Sequence, residues 1–104
     1  MGLFSGNATN TETDLELPVP RGGTINNFYI TQQGGNTGVV YTLRTGNQGG
    51  TMTNSTLTCT GAVVSGVTTC KDLTHSVIVS AGQTVTITNS ANPNTAVAWS
   101  AQLQ

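Results

Sequence analysis

The chain has 104 residues, of which only seven are charged, and its formal net charge at pH 7 is −1. Three basic residues cannot neutralise a run of phosphates, so the composition excludes an electrostatic nucleic-acid binder. The apolar runs are only a few residues long, which is too short for a membrane-spanning helix. No signal peptide is predicted either, because the first residues have neither a basic start nor an apolar core.

The composition favours β-structure. Thr, Gly, Asn, Ser and Gln together make up more than half of the chain, and they alternate with Val, Ile, Leu and Tyr. Thr and Val both favour strands. The hydrophobic share is 36%, below the roughly 45–50% of ordinary globular proteins. A core this small predicts support from a disulfide or from subunit association.

The N-terminal residues show no periodicity. We therefore expect residues 1–12 to be a flexible arm that precedes a single domain over 13–104. Leu3 and Phe4 are two adjacent large apolar side chains in this polar segment. They either fold back onto the domain's own core or dock on a partner, and the second interpretation is the one we prefer.

An acidic group follows the arm. Glu12, Asp14 and Glu16 occupy alternate positions of one predicted strand. Carboxylates at this spacing could bind a hard cation if backbone oxygens joined them. The chain has no EF-hand loop and no second acidic cluster, so the pattern favours a solvated face or a surface that pairs with basic groups on a partner. No metal ion is expected.

Period-two alternation then continues to the end of the chain and predicts about eight short strands separated by turn signals. The first begins at residue 13, and Pro18 and Pro20 make it an edge or swapped strand. The others are predicted at 25–32, 37–45, 52–59, 62–70, 76–80, 83–89 and 95–103. The pattern is typical of an all-β antiparallel two-sheet sandwich, with a jelly roll preferred.

The inward positions of these strands define the predicted core. Trp99 shares a face with other apolar residues, which favours a core anchor over a ligand platform. The candidate core residues are Phe28, Ile30, Tyr41, Leu43, Val85, Ile87, Val97 and Trp99.

The chain has two cysteines, Cys59 and Cys70. If 52–59 and 62–70 form a hairpin with its tip near Val64 and Ser65, the cysteines face each other and a disulfide can form. The alternative is two reduced thiols, because a chain without a signal peptide is made in a reducing cytosol. A protein that is made in the cytoplasm and ends its life outside the cell reconciles the two.

Catalytic chemistry is not expected. His75 and Asp72 could join a serine in a triad, but no serine lies in a Gly-x-Ser-x-Gly turn. His75 is the only histidine, and no Cys/His spacing typical of zinc sites is present. The sequence therefore predicts a protein that is not an enzyme, with no cofactor and no small-molecule substrate.

Three segments resemble small phage virion domains. The run HSVIVSAGQTVTITNSANPNTAVAWSAQL (75–103) resembles their closing segment, RGGTINNFYI (21–30) their opening strand, and TGVVYTLRTG (37–46) the strand that follows. The segment between Cys59 and Cys70 departs from the pattern, and Gln83 stands where Asp is common. The resemblance implies a jelly-roll module, usually trimeric, found in capsid cement (decoration) proteins and in fibre heads.

The function implied by this resemblance is that of a structural virion protein. We expect a homotrimer made in the host cytoplasm that sits on the bacteriophage capsid surface and bridges major capsid protein subunits. The predicted contact residues are Leu3, Phe4, Glu12, Asp14 and Glu16. The alternatives are the receptor-binding head of a tail or collagen-like fibre and, less favoured, a host extracellular sandwich module.

Overall fold

The computed structural model describes residues 2–8, 17–33, 37–47, 49–90 and 97–104. These residues form nine strands in two antiparallel sheets. One sheet has five strands in the order β1-β9-β3-β7-β6, and the other has four in the order β2-β8-β4-β5. The strands are β1 (Gly2–Ala8), β2 (Leu17–Pro18), β3 (Gly23–Gln33), β4 (Val40–Asn47), β5 (Met52–Thr60), β6 (Ala62–Val64), β7 (Val67–Val79), β8 (Gln83–Asn89) and β9 (Val97–Leu103).

The protein is an all-β jelly-roll sandwich, as the alternating pattern predicts. Successive side chains of a strand point to opposite faces, so each strand contributes every second residue to the layer between the sheets. The eight predicted core residues are all buried. Within this layer the Tyr41 hydroxyl donates to Oε1 of the buried Gln32, which links β4 of one sheet to β3 of the other.

The N-terminal segment differs from the expected flexible arm. Gly2–Ala8 forms β1, which pairs antiparallel with β9 along its whole length, from Gly2 opposite Leu103 to Ala8 opposite Val97. The local pattern gave no strand signal because the pairing partner lies at the other end of the chain. Residue 1 and residues 9–12 of the predicted arm lie outside the described residues.

The predicted edge position of the first sandwich strand is confirmed. Among the described residues, β2 is the outermost strand of the four-stranded sheet, and Pro18 lies opposite Thr84 of β8. Proline has no amide hydrogen to donate, so an edge position avoids a missing ladder bond.

β7 joins two segments that the sequence predicted as separate strands. It runs continuously from Val67 to Val79 because a bulge accommodates the extra residues between the two predicted strands. In the pairing with β3, Asn26 lies opposite Ser76 and Phe28 lies opposite Asp72, so residues 73–75 face a single residue, Asn27. Asn27 has a positive φ of 52°, a conformation that asparagine tolerates better than most residues.

The cysteines form a disulfide with a Cα–Cα distance of 5.8 Å, but not across a hairpin. The hairpin is β6–β7, and its two-residue turn at Ser65 and Gly66 has positive φ at both positions, as a type I′ turn requires. Cys59 lies on β5 of the four-stranded sheet, and Cys70 lies on β7 of the five-stranded sheet. The disulfide therefore joins the two sheets.

Candidate protein-binding surface

Large apolar side chains are exposed mainly on the five-stranded sheet. Val40 is the one such residue in the described part of the four-stranded sheet. The others lie on β3, β6 and β7, and Ile78 is 82% exposed. Contiguous patches of exposed apolar side chains are typical of protein-interaction sites, whereas single ones occur on most protein surfaces. The exposed apolar residues of the five-stranded sheet are Tyr29, Val63, Val64, Leu73 and Ile78.

The outer side of this sheet carries two regular rows of side chains centred on β3. Tyr29 lies opposite Ser100 of β9 on one side and opposite Lys71 of β7 on the other. In the next row, Thr31 lies opposite Ala98 of β9 on one side and opposite Thr69 of β7 on the other. We call these six residues the Tyr29 face, and they are Tyr29, Thr31, Thr69, Lys71, Ala98 and Ser100.

Tyr29 is the largest side chain of the Tyr29 face and stands between two grooves. The groove between β3 and β9 has a volume of about 160 Å³, and Trp99 contributes to its lining. The groove between β3 and β7 has a volume of about 330 Å³, and Thr69 and Lys71 line it. Tyr29 lines both grooves and is 46% exposed, so its side chain forms a wall that the two grooves share.

The Tyr29 face carries almost no charge. Lys71 is its one ionisable group apart from the Tyr29 phenol. A neutral surface can be buried against a partner without the desolvation penalty of unpaired charges. The chemistry of the face therefore suits contact with another protein surface.

The bulge beside the Tyr29 face is held together by one buried carboxylate. Asp72 is 6% exposed. Its Oδ1 accepts hydrogen bonds from the Thr74 amide at 3.0 Å, the Thr74 hydroxyl at 3.1 Å and the His75 amide at 3.2 Å. Its Oδ2 lies 2.8 Å from His75 Nδ1 and accepts from the Thr58 amide at 3.2 Å. Because Thr58 is on β5, this carboxylate also links the two sheets.

These contacts decide the ionisation of Asp72. Burial by itself would raise the pKa of the carboxyl group. The hydrogen bonds from the amides of Thr74 and Thr58 and from the ring and amide of His75 outweigh burial and hold the pKa of Asp72 well below its usual value. The carboxylate is therefore charged at neutral pH.

The hydroxyl group that contacts the Asp72–His75 pair, that of Thr74, does not have the position of a serine-hydrolase nucleophile. In such a triad the nucleophile binds the ring nitrogen that faces away from the carboxylate. Here the Thr74 hydroxyl lies 3.2 Å from Nδ1, the same nitrogen that contacts Asp72. The geometry assigns the pair to anchoring residues 73–75. Among the described residues, no three His, Cys, Asp or Glu side chains form a cluster that could hold a metal ion.

The predicted contact residues are only partly within the described chain. Leu3 and Phe4 lie on β1, the edge strand of the five-stranded sheet that also carries the Tyr29 face. Glu12, Asp14 and Glu16 lie outside the described residues. The structure thus places Leu3 and Phe4 on the edge of this sheet, two strands away from Tyr29.

The Tyr29 face was not predicted from the sequence. Tyr29 was recognisable as the outward neighbour of Phe28 and Ile30 on a predicted strand. Its grooves were not, because they depend on which strands flank β3, and β9 and β7 come from distant parts of the chain.

Comparison with known proteins supports the fold. No family model matches the sequence, and no curated protein matches it. In the described part of the chain, no helix is long and apolar enough to cross a membrane. Among solved structures, the chain is similar to the Eiger TNF of S. frugiperda, with a TM-score of 0.53 and 13% identity over 86% of this chain. The match spans 65% of the TNF chain, and it shows that this protein has a TNF-like jelly-roll fold.

Proposed function

We propose that the protein is a capsid cement protein of a bacteriophage. In this proposal it forms a homotrimer on the capsid surface and stabilises the shell by bridging major capsid protein subunits. The observation that carries the proposal is the concentration of exposed apolar side chains on one sheet of a nearly uncharged sandwich. Exposed apolar side chains are suited to contact with another protein. The sequence of this jelly roll also resembles the sequences of phage virion domains.

The position of β1 supports a capsid contact at the same sheet. As an edge strand, β1 pairs on one side with β9 and has no strand on its other side among the described residues. Such an edge can accept a strand of a partner by backbone hydrogen bonding. The contact that we propose for Leu3 and Phe4 is therefore made from an ordered strand, and the acidic residues Glu12, Asp14 and Glu16 would pair with basic groups of the capsid protein.

The experiment is a binding assay with capsids of the encoding phage that lack this protein. The intact protein should co-sediment with the capsids and raise their resistance to heat. A Leu3→Ser, Phe4→Ser double variant should keep its subunit count and lose most of its capsid binding. A Val40→Ser variant, which removes an exposed apolar residue from the other sheet, is the matched control. Absence of binding by the intact protein would overturn the proposal.

A second candidate is the receptor-binding head of a phage fibre. It is favoured by the β6–β7 hairpin, whose tip residue Val64 is 64% exposed and whose base is fixed by the disulfide. An exposed apolar residue on a hairpin tethered by a disulfide is a suitable contact for a receptor, because the tether limits the conformational freedom that is lost on binding. Binding of the purified protein to host cells, lost in a Val64→Ser variant, would select this candidate over the first.

A further inference from the structure

We infer that the outer edge of β1 receives an extended segment of the capsid protein as an additional strand of the five-stranded sheet. The inference rests on the proposed function and specifies the chemistry of its contact, in which backbone groups of Leu3, Ser5 and Asn7 pair with the backbone of the capsid protein. A strand edge determines its own kind of occupant, because a row of N–H and C=O groups is complementary to another extended chain.

The hydrogen-bond pattern of β9 shows which backbone groups of β1 face away from the sheet. Thr24 and Gln104 exchange two backbone hydrogen bonds of 2.9 Å each, so the N–H and C=O groups of Gln104 point toward β3. These directions alternate along an antiparallel strand, so the odd-numbered residues of β9 point toward β1. Their partners on β1 are Gly2, Phe4, Gly6 and Ala8. The backbone groups of Leu3, Ser5 and Asn7 therefore point outward.

The other edge strands in the described part of the chain each carry a feature that hinders strand addition. β2 has two residues, and one of them is Pro18, which has no N–H to donate. On β5, the Thr58 amide donates to the Asp72 carboxylate at 3.2 Å. On β6, the Val63 amide donates to the Thr37 hydroxyl at 3.4 Å. Each of these edges thus has an N–H that is missing or already bound.

The sequence of β1 lacks the residues that usually protect an edge. Its seven residues, GLFSGNA, include no proline and no charged side chain. The pairing with β9 has no register shift, so no bulge turns this edge away. Natural proteins protect free edges with prolines, charges, bulges or very short strands. A long, uncharged edge without these features is expected where a partner strand covers it.

The occupant is a segment of a different protein and not a second copy of this chain. Among the described edge strands, only β1 combines length with an unprotected sequence, so a second copy could add only its own β1. Each copy has one such edge. Pairing edge to edge therefore joins two copies and leaves no edge for a third, which does not produce the proposed trimer. The capsid protein that the trimer bridges is the partner that can supply a strand.

A proline at an outward position separates backbone pairing from side-chain contact. Ser5→Pro removes the outward N–H and keeps the hydrogen bonds between β1 and β9, because proline is tolerated where the N–H of an edge strand faces solvent. Ser5→Ala is the matched control, since it changes the side chain and keeps the N–H. In co-sedimentation with capsids that lack this protein, Ser5→Pro should bind at least about tenfold more weakly. Ser5→Ala should bind like the intact protein, and circular dichroism should show that both variants fold.

Hydrogen exchange of the intact protein gives a second readout that needs no variant. In the free protein, the amides of Leu3, Ser5 and Asn7 should exchange faster than those of Phe4 and Gly6, because only the latter two donate to β9. On the capsid, the three outward amides should become protected, since they then donate to the added strand. This measurement decides the matter if Ser5→Pro does not fold.

Two results would overturn the inference and leave the proposed function intact. One is a folded Ser5→Pro variant that binds capsids as tightly as Ser5→Ala, and the other is outward amides that exchange equally fast in free and bound protein. An intact protein that does not bind capsids would overturn the proposed function and the inference with it. An intact chain that forms dimers, which Ser5→Pro converts to monomers, would show that the edge takes a second copy instead.

Discussion

His75 Nδ1 lies 2.8 Å from Asp72 Oδ2, so this contact joins the residue before the bulge in β7 to the last residue of the bulge. The carboxylate is buried while the histidine side chain is 55% exposed. Asp72 also accepts hydrogen bonds from backbone amides on both sides of the sandwich. The pair therefore acts as a structural anchor in which Asp72 makes most of the contacts.

Replacing Asp72 should destabilise the fold substantially. Asp72→Asn removes the charge to which Thr58, Thr74 and His75 donate, and hydrogen bonds to charged groups contribute about 1.5–3 kcal/mol. We expect the free energy of unfolding to fall by about 2–3 kcal/mol in denaturant titration. His75→Ala is the control, and because it removes one partner that is half exposed, it should cost less than about 1 kcal/mol. An equal loss in both variants would contradict the assignment of the anchor to Asp72.

The contribution of Asp72 should depend on pH in one direction. Its pKa is lower in the folded state than the value near 3.9 of an unperturbed aspartate. The stabilisation is therefore fully present above that unfolded value and is lost as the pH falls below it. The difference in unfolding free energy between the intact protein and Asp72→Asn should be constant from about pH 7 to pH 5 and should shrink from about pH 4 downward. A difference that grows on acidification would contradict this.

The disulfide should stabilise the fold without setting the subunit count. A bond that closes a loop of this length contributes on the order of 3 kcal/mol by constraining the unfolded chain. Cys59→Ser should therefore lower the Tm by roughly 10–20 °C for a domain of this size. The Cys59→Ser, Cys70→Ser double variant is the control and should have the same Tm as the single variant. If the intact protein has the same Tm with and without reductant, the disulfide does not stabilise the fold.

Gly61 should be intolerant of a side chain. It lies between β5 and β6, where the chain passes from one sheet to the other, and its amide donates to the Val39 carbonyl at 2.8 Å. A Cβ at this position would lie 2.5 Å from Thr68 Cγ2 and 3.1 Å from Tyr41 Cε2. Gly61→Ala should therefore cost about 1–3 kcal/mol in the free energy of unfolding.

Gly22 provides the matched comparison for Gly61. A Cβ at Gly22 would meet its nearest neighbour at 3.5 Å, which is ordinary contact. Gly22→Ala should leave the Tm unchanged or raise it slightly, because alanine reduces the freedom of the unfolded chain. If both alanine variants have the same Tm as the intact protein, close packing at Gly61 does not constrain the passage of the chain from one sheet to the other.

The sequence predicted the inside of the sandwich better than its connections. Burial follows from a local rule, since alternation along one strand is enough to place Phe28, Tyr41 or Trp99 in the core. The sheet to which a strand belongs follows from distant pairings. The cysteines show the difference, because their presence in one disulfide was predicted and their placement on two different sheets was not.

The same reason accounts for β1 and for the Tyr29 face. The partner of β1 is β9, about a hundred residues away in the chain, and nothing in residues 2–8 indicates it. The grooves beside Tyr29 likewise exist only once β9 and β7 flank β3. The anchoring role of Asp72 depends on Thr58 of another strand. The sequence therefore identified Asp72 and His75 as a pair but did not predict that Asp72 anchors the bulge.

The bond between Cys59 and Cys70 turns the segment between them into a covalently closed ring, with the exposed turn at Ser65 and Gly66 at its far end. A protease that cuts this turn leaves the polypeptide joined through sulfur, so no fragment is released until a reductant is added. The turn is for the same reason a tolerant place to insert a foreign peptide, because the sheets stay tethered whatever replaces the tip. An epitope displayed there would be carried at one end of the five-stranded sheet, on a hairpin whose base cannot spread apart.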